Sequence, residues 1–347
     1  MRVLAPLALA LLLASSCAPG VQPPVAAAPA EAPLTLENMR LHDPFIVADR
    51  ESRTYYLFTS NIEEASGNPR VGTMLYTSRD LRHWTRPRLV FTLPEDIWGV
   101  AGAWAPEVHR WLGKYYLFTT LHNEALKLPE TRKRKPYRRG TILAVADRLE
   151  GPYRVVRGGE PILPASQMTL DGHLFVDGGK RWLVYAHEWL QTTDGTMEAL
   201  PLDRDLAAAG APIHLFRASE APWAKGQKQS APDDLVYVTD GPWLHRSRTG
   251  ELLMLWSSYG ADGYNQAQAR SKTGRLEGPW EQLPPLVGGS SGHGMLFRTF
   301  EGQLMMVLHR PFGAKARGKL YEMRDAGDRL EIVRQRTDLD GDSPSAP

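Results

Sequence analysis

Three aspartates carry the chemistry open to this chain. Asp43 stands before Pro44 and the apolar run "FIVAD", Asp171 before Gly172 and "HLFVD", and Asp240 before Gly241 and "PWLHR". One aspartate ahead of proline or glycine reads as a turn residue, because Asp bonds its own neighbouring backbone and proline holds the residue before it extended. Aligned on the apolar alternation that follows, the three fall at one register. Carboxylates that meet repel one another, raise one another's pKa and need partners, so such groups mark acid/base chemistry or a cation site.

Repeated strands supply the elements that would position them. "TYYLFTS" at Thr54–Ser60 returns as "KYYLFTT", "RWLVYAH", "LLMLWSS" and "QLMMVLH", the last ending at His309. Each copy is rich in β-branched, aromatic and long apolar residues, and each follows a short turn. Just upstream of each lies a second short strand, so the unit is a hairpin used five times. That spacing is the signature of propeller blades whose remaining strands fill the intervals. The reading is an all-β, five-bladed β-propeller, with a helical turn or two expected only around Asp203–Gly210. In a propeller the innermost strands run beside the central axis, so the acids of different blades converge at one end of it.

Two or three carboxylates with no thiol suit glycoside hydrolysis, in which one acid protonates the leaving oxygen and a second carboxylate activates water or attacks carbon. Aromatic side chains suit a sugar, and Trp98, Trp104, Trp189, Trp223, Trp243 and Tyr264 lie in or near loops at these strand ends. The competing role for each is packing between blades.

The markers "HDPFI", "WAPEV", "LDGHLFVD", "TDGPWLHR" and "GHGMLF" together resemble glycoside hydrolase family 43, the five-bladed propellers that include α-L-arabinofuranosidases, endo-arabinanases and β-xylosidases. The resemblance implies that Asp43 is the general base and Asp171 the residue that orients the acid and tunes its pKa. Asp240 takes the general-acid position, where the family carries glutamate; Glu188 is the alternative acid. Trp104, Glu107, Trp189, Trp243 and His293 are the substrate-binding candidates. His293 resembles an axial histidine near water or a bound calcium ion, which makes it a candidate metal ligand. No cofactor is required beyond such a structural calcium. The implied activity is inverting hydrolysis of plant-type pentose glycans, α-L-arabinosides first. The alternatives are a glycan-binding surface lipoprotein with impaired turnover, or action on another sugar such as a galactoside.

The ends of the chain read differently. Residues 1–17 carry Arg2, an apolar run and small residues ending at Cys17, the only cysteine of the 347 residues. This reads as a lipoprotein-type export signal, with Cys17 the site of lipid attachment and the cell envelope the destination. Residues 18–35 are an Ala/Pro-rich linker, 36–333 the propeller, and 334–347 a polar tail. The basic stretch "TRKRKPYRRG" is a solvated loop and not a nucleic-acid site, given a net charge of +2. The expected partner is an oligo- or polysaccharide, and the expected state a monomer.

Overall fold

Each repeated hairpin forms the first two strands of a four-stranded antiparallel sheet whose order follows the chain. The computed structural model describes residues 34–131, 134–229 and 234–341, so the export signal, Cys17 and nearly all of the linker lie outside the described residues. The innermost strands of the five blades are Phe45–Asp49, Ala101–Trp111, Thr169–Asp177, Asp240–Arg246 and Gly292–Arg298. Each packs beside the next, and the fifth returns to the first, closing the ring around one axis. The second strands are the predicted repeats and are buried over most of their length in Thr54–Ser60, Leu252–Gly260 and Leu304–Arg310. Their apolar faces meet between blades in separate clusters, one spanning blades two and three, another blades three and four, and another blades four and five.

Closure rests on the segment just ahead of the first blade. Leu34 and Trp84 exchange backbone hydrogen bonds at 3.1 and 2.8 Å, and Leu41 N–H donates to Ala316 O at 3.0 Å. Leu36 and Leu41 are fully buried. Gly318 on the fifth blade makes room for them, since a Cβ there would lie 2.9 Å from Leu41 Cδ1.

Two expectations need correction. Asp203–Gly210 forms no helix: the Asp203 carboxylate accepts the N–H groups of Asp205 and Ala207 at 2.9 and 2.8 Å, a side-chain turn that replaces helical bonding. The polar tail also begins later than residue 334. Strand Leu330–Gln335 and the short helix Thr337–Asp340 are part of the fold, with Asp340 buried and accepting Leu320 N–H at 3.0 Å. Among the described residues no helix is long and apolar enough to cross a membrane.

Candidate active site

A backbone irregularity repeated in the blades positions the site. In blades two to five the inner strand places two residues opposite one: Ala105 and Pro106 face Thr119, Asp171 and Gly172 face Tyr185, Gly241 and Pro242 face Trp256, and His293 and Gly294 face Leu308. These are β-bulges, which bend a strand and re-aim its side chains. The first bulge residue is left-handed each time, with φ of 42° at Ala105, 57° at Asp171, 54° at Gly241 and 54° at His293, and Asp43 in the first blade matches them at 47°. Aspartate and histidine tolerate that region better than most side chains.

This ring corrects the sequence register. Asp43 and Asp171 share it with Ala105, Gly241 and His293, whereas Asp240 sits one residue earlier. Residues at that earlier position form a second ring of His42, Trp104, Leu170, Asp240 and Gly292. The first four of these line an open cleft of about 520 Å³, together with Asp43, Asp171, Ser60, Ile62, Arg40 and Phe312. The acids therefore come from two tiers, yet their side chains still meet.

They meet at His293. Its Nδ1 lies 3.3 Å from Asp43 Oδ1, 3.3 Å from Asp240 Oδ1 and 4.0 Å from Asp171 Oδ2. Burial opposes a charge on this imidazole, but the three carboxylates outweigh it and hold its pKa well above the ordinary value. Asp43 Oδ1 also faces Nδ1 of His42 at 2.9 Å and of His309 at 3.2 Å. Burial pushes Asp43 up, yet these histidines prevail and keep it ionised, well below the usual carboxylate range. An ionised carboxylate at the edge of the cleft can take a proton from water.

Asp171, Asp240 and His293 bring polar atoms within 4.8 Å of one another, and the two carboxyls interact strongly as one titrating pair. Asp171 is the deeper, with 4% of its side chain exposed against 17% for Asp240. Burial and the Asp240 charge raise Asp171 far above its ordinary value. Burial pushes Asp240 up as well, but hydrogen bonds from Asp171 and His293 overcome it and bring it down. Burial and the Asp240 charge thus favour the proton on Asp171 in the free site.

The remaining candidates divide. Trp104 lines the cleft, with the Arg139 guanidinium 5.1 Å from its ring centre. Glu188 is buried and paired with Arg139 at 3.4 Å; burial raises its pKa, but it does not line the cleft. Trp243 turns to the axis, its ring 4.6 Å from that of His173, so it packs the interior and offers no face to a sugar in the cleft. Glu107 is likewise axial, its Oε2 accepting from His109 Nε2 at 2.8 Å and His173 Nδ1 at 2.9 Å. Trp189 is half-buried at the start of the short helix Trp189–Thr192, away from the cleft lining. Trp98 and Trp223 are packing residues, the first donating to Gly159 O at 2.8 Å and the second lying against Trp256. The described arginines of the basic stretch pair with acids: Arg134 with Asp234, Arg138 with Glu160, and Arg139 with Glu188.

A calcium ion does not fit these donors. The carboxylate oxygens nearest His293 are already turned to its cationic ring, whereas calcium takes about six to eight oxygens. The axial void beneath, lined by Pro44, Pro106, Glu107 and Pro242, is about 10 Å³, room for one water. Glu107, His109 and His173 fit no better. Leu244 N–H donates to His173 Nε2 at 3.2 Å, so the ring proton sits on Nδ1 and leaves no lone pair there for a metal.

His42 and His309 were not assigned roles by sequence, and Tyr264, read there as an aromatic suited to a sugar or to packing between blades, is buried with its hydroxyl on Asp240. His42 adjoins Asp43 in the chain and stacks on His309 with ring centres 4.1 Å apart. Only the fold brings His309, at the end of the last repeat, beside the first blade.

A ring of blades with carboxylates gathered over a cleft at one end of its axis defines a five-bladed propeller glycosidase. The chain matches the model of glycosyl hydrolases family 43 over residues 36–325 and belongs to that family. It is 35% identical to the endo-arabinase from Bacteroides thetaiotaomicron VPI-5482, with a TM-score of 0.74 over 85% of this chain and 98% of that one. Two further solved structures share the fold: an endo-1,4-β-xylanase from the same bacterium, at 21% identity, TM-score 0.66 and coverage of 87% and 97%, and an α-L-arabinofuranosidase from Lactobacillus brevis, at 16% identity, TM-score 0.60 and coverage of 84% and 93%. No curated protein matches the sequence.

Proposed function

We propose that this glycoside hydrolase cleaves α-L-arabinosidic bonds in plant-type pentose glycans by single displacement with inversion. Asp43 is the base that deprotonates water. Asp240 gives the leaving oxygen a proton, and Asp171 stores that proton in the free enzyme. The observation that carries the reading is the meeting of these carboxylates on one imidazole nitrogen beside a sugar-sized cleft. The substrate class is supported by the endo-arabinase likeness, which spans most of both chains. Asp43 and Asp240 each lie 3.3 Å from His293 Nδ1, so their facing oxygens are at most twice that distance apart. That bound meets only the lower edge of the about 6.5–9.5 Å spacing of inverting enzymes and includes the about 5–5.5 Å of retaining ones, so inversion rests on the family likeness and the configuration of the product tests it.

The protein acts at the cell envelope, tethered through a lipid on Cys17 and monomeric; loss of membrane-fraction recovery in Cys17→Ser tests the tether. Activity is tested on arabinan, arabinoxylan and a panel of aryl glycosides. Release of arabinose-containing products of inverted configuration supports the reading. Binding without release makes the protein a glycan-binding module, and turnover of aryl galactosides alone moves it to another sugar. Asp240→Asn should lower turnover on unactivated linkages by about 10²–10⁴-fold and spare activated aryl glycosides. Asp43→Asn should abolish both. If Glu188→Gln shows the leaving-group dependence and Asp240→Asn does not, the acid is Glu188.

A further inference from the structure

Asp240 has a short side chain, and its surroundings hold both of its carboxylate oxygens. In the ring of His42, Trp104, Leu170 and Asp240, the fifth blade supplies Gly292, which has no side chain. The gap is filled by Tyr264 of the fourth blade: a Cβ on Gly292 would come within 2.1 Å of Tyr264 Cε1. Tyr264 is fully buried. Its ring lies parallel to that of His309 at 5.9 Å, and Phe312 and Tyr259 pack on it at 4.7 and 5.3 Å. So held, its hydroxyl donates a hydrogen bond to Asp240 Oδ2, while the other oxygen, Oδ1, faces His293.

We propose that Tyr264 is a positioning residue for the proton donor: filling the space left by Gly292 behind the cleft, it fixes the short Asp240 side chain and governs which of Asp240 and Asp171 holds the proton. The inference rests on Asp240 being the acid. A hydroxyl donated to Oδ2 favours the ionised carboxylate, so Tyr264 biases the proton towards Asp171 until substrate enters. The other groups facing Asp240 are Asp171 and Glu188 from the third blade, His293 from the fifth, Asp43 and His42 from the first, and Tyr259 on its own blade. Tyr264→Phe changes none of them.

The experiment is the pH dependence of kcat/KM for Tyr264→Phe, which keeps the ring packing and removes only the hydroxyl. With the donor gone, Asp240 binds its proton more tightly, so the alkaline limb should move up by about one pH unit. On arabinan kcat should fall, with KM little changed and activated aryl glycosides spared. An unmoved limb, or an equal loss on both substrate types, overturns the proposal. A second test adds a methylene. Asp240→Glu should lose activity in the wild type, where the hydroxyl occupies its path, and regain much of it beside Tyr264→Phe; additive effects would refute the coupling. Asp240→Asn separates the two levels. If it lacks leaving-group dependence, the acid assignment falls and Tyr264 with it; if it has that dependence and the limb stays fixed, only the role of Tyr264 fails.

Discussion

Replacing His293 with glutamine tests whether one buried cation holds the carboxylate cluster together. Its Nδ1 lies 3.3 Å from oxygens of both Asp43 and Asp240 and 4.0 Å from one of Asp171. At the shorter separation and an effective dielectric of about 20, each contact between unit charges contributes about 5 kcal/mol before solvation. Drying the groups and the repulsion between anions cancel much of this, and removing one partner of a buried pair costs about 3–5 kcal/mol. The pKa of His293 is raised in the fold, so its stabilisation is fully present below the unfolded value of about 6.5 and is lost as pH rises through the folded value. Urea unfolding of wild type and His293→Gln should therefore show a gap of about 3–5 kcal/mol on the acid side of neutrality, closing as pH increases. A gap under about 1 kcal/mol, the level of an exposed pair, or one that widens with pH would falsify the account of His293 as the cluster's cation.

Two further outcomes follow from the axis. Burial pushes Glu107 up, but attraction to His173 and the hydrogen bonds of His109 and His173 bring it from 4.5 down to about 2. A depressed carboxylate stabilises above its unfolded value and loses that contribution as pH falls through the folded one, so Glu107→Gln should cost about 3 kcal/mol near neutrality and less and less below pH about 4.5, measured by unfolding across the acid range. Gly241 is left-handed and a Cβ there would sit 3.0 Å from the His293 ring, so Gly241→Ala should cost about 1–2 kcal/mol in backbone strain alone and also lower activity; an unchanged Tm and kcat would show that His293 has room to move.

The architecture was legible because a propeller repeats. Five hairpins with the same apolar pattern can bury their faces only against one another, so Thr54–Ser60 and its four copies specified the blades before any contact was known. Asp43 and Asp171 were legible too, since an aspartate ahead of Pro44 or Gly172 is a side chain that tolerates the left-handed backbone at the start of an inner strand. The register of Asp240 was not. Asp-Gly-Pro looks like Asp-Pro and Asp-Gly, but the left-handed residue is Gly241, and only strand pairing shows on which side of the bulge a carboxylate falls. Trp243 reads as a sugar platform and faces the axis for the same reason: beyond a bulge, alternation no longer says which face a side chain takes. The gathering of three acids on His293 and the packing of Tyr264 into the space left by Gly292 belong to tertiary structure alone. They depend on burial and on distances between blades far apart in the chain, and charge interactions at about 3–4 Å are decided by coordinates and not by composition.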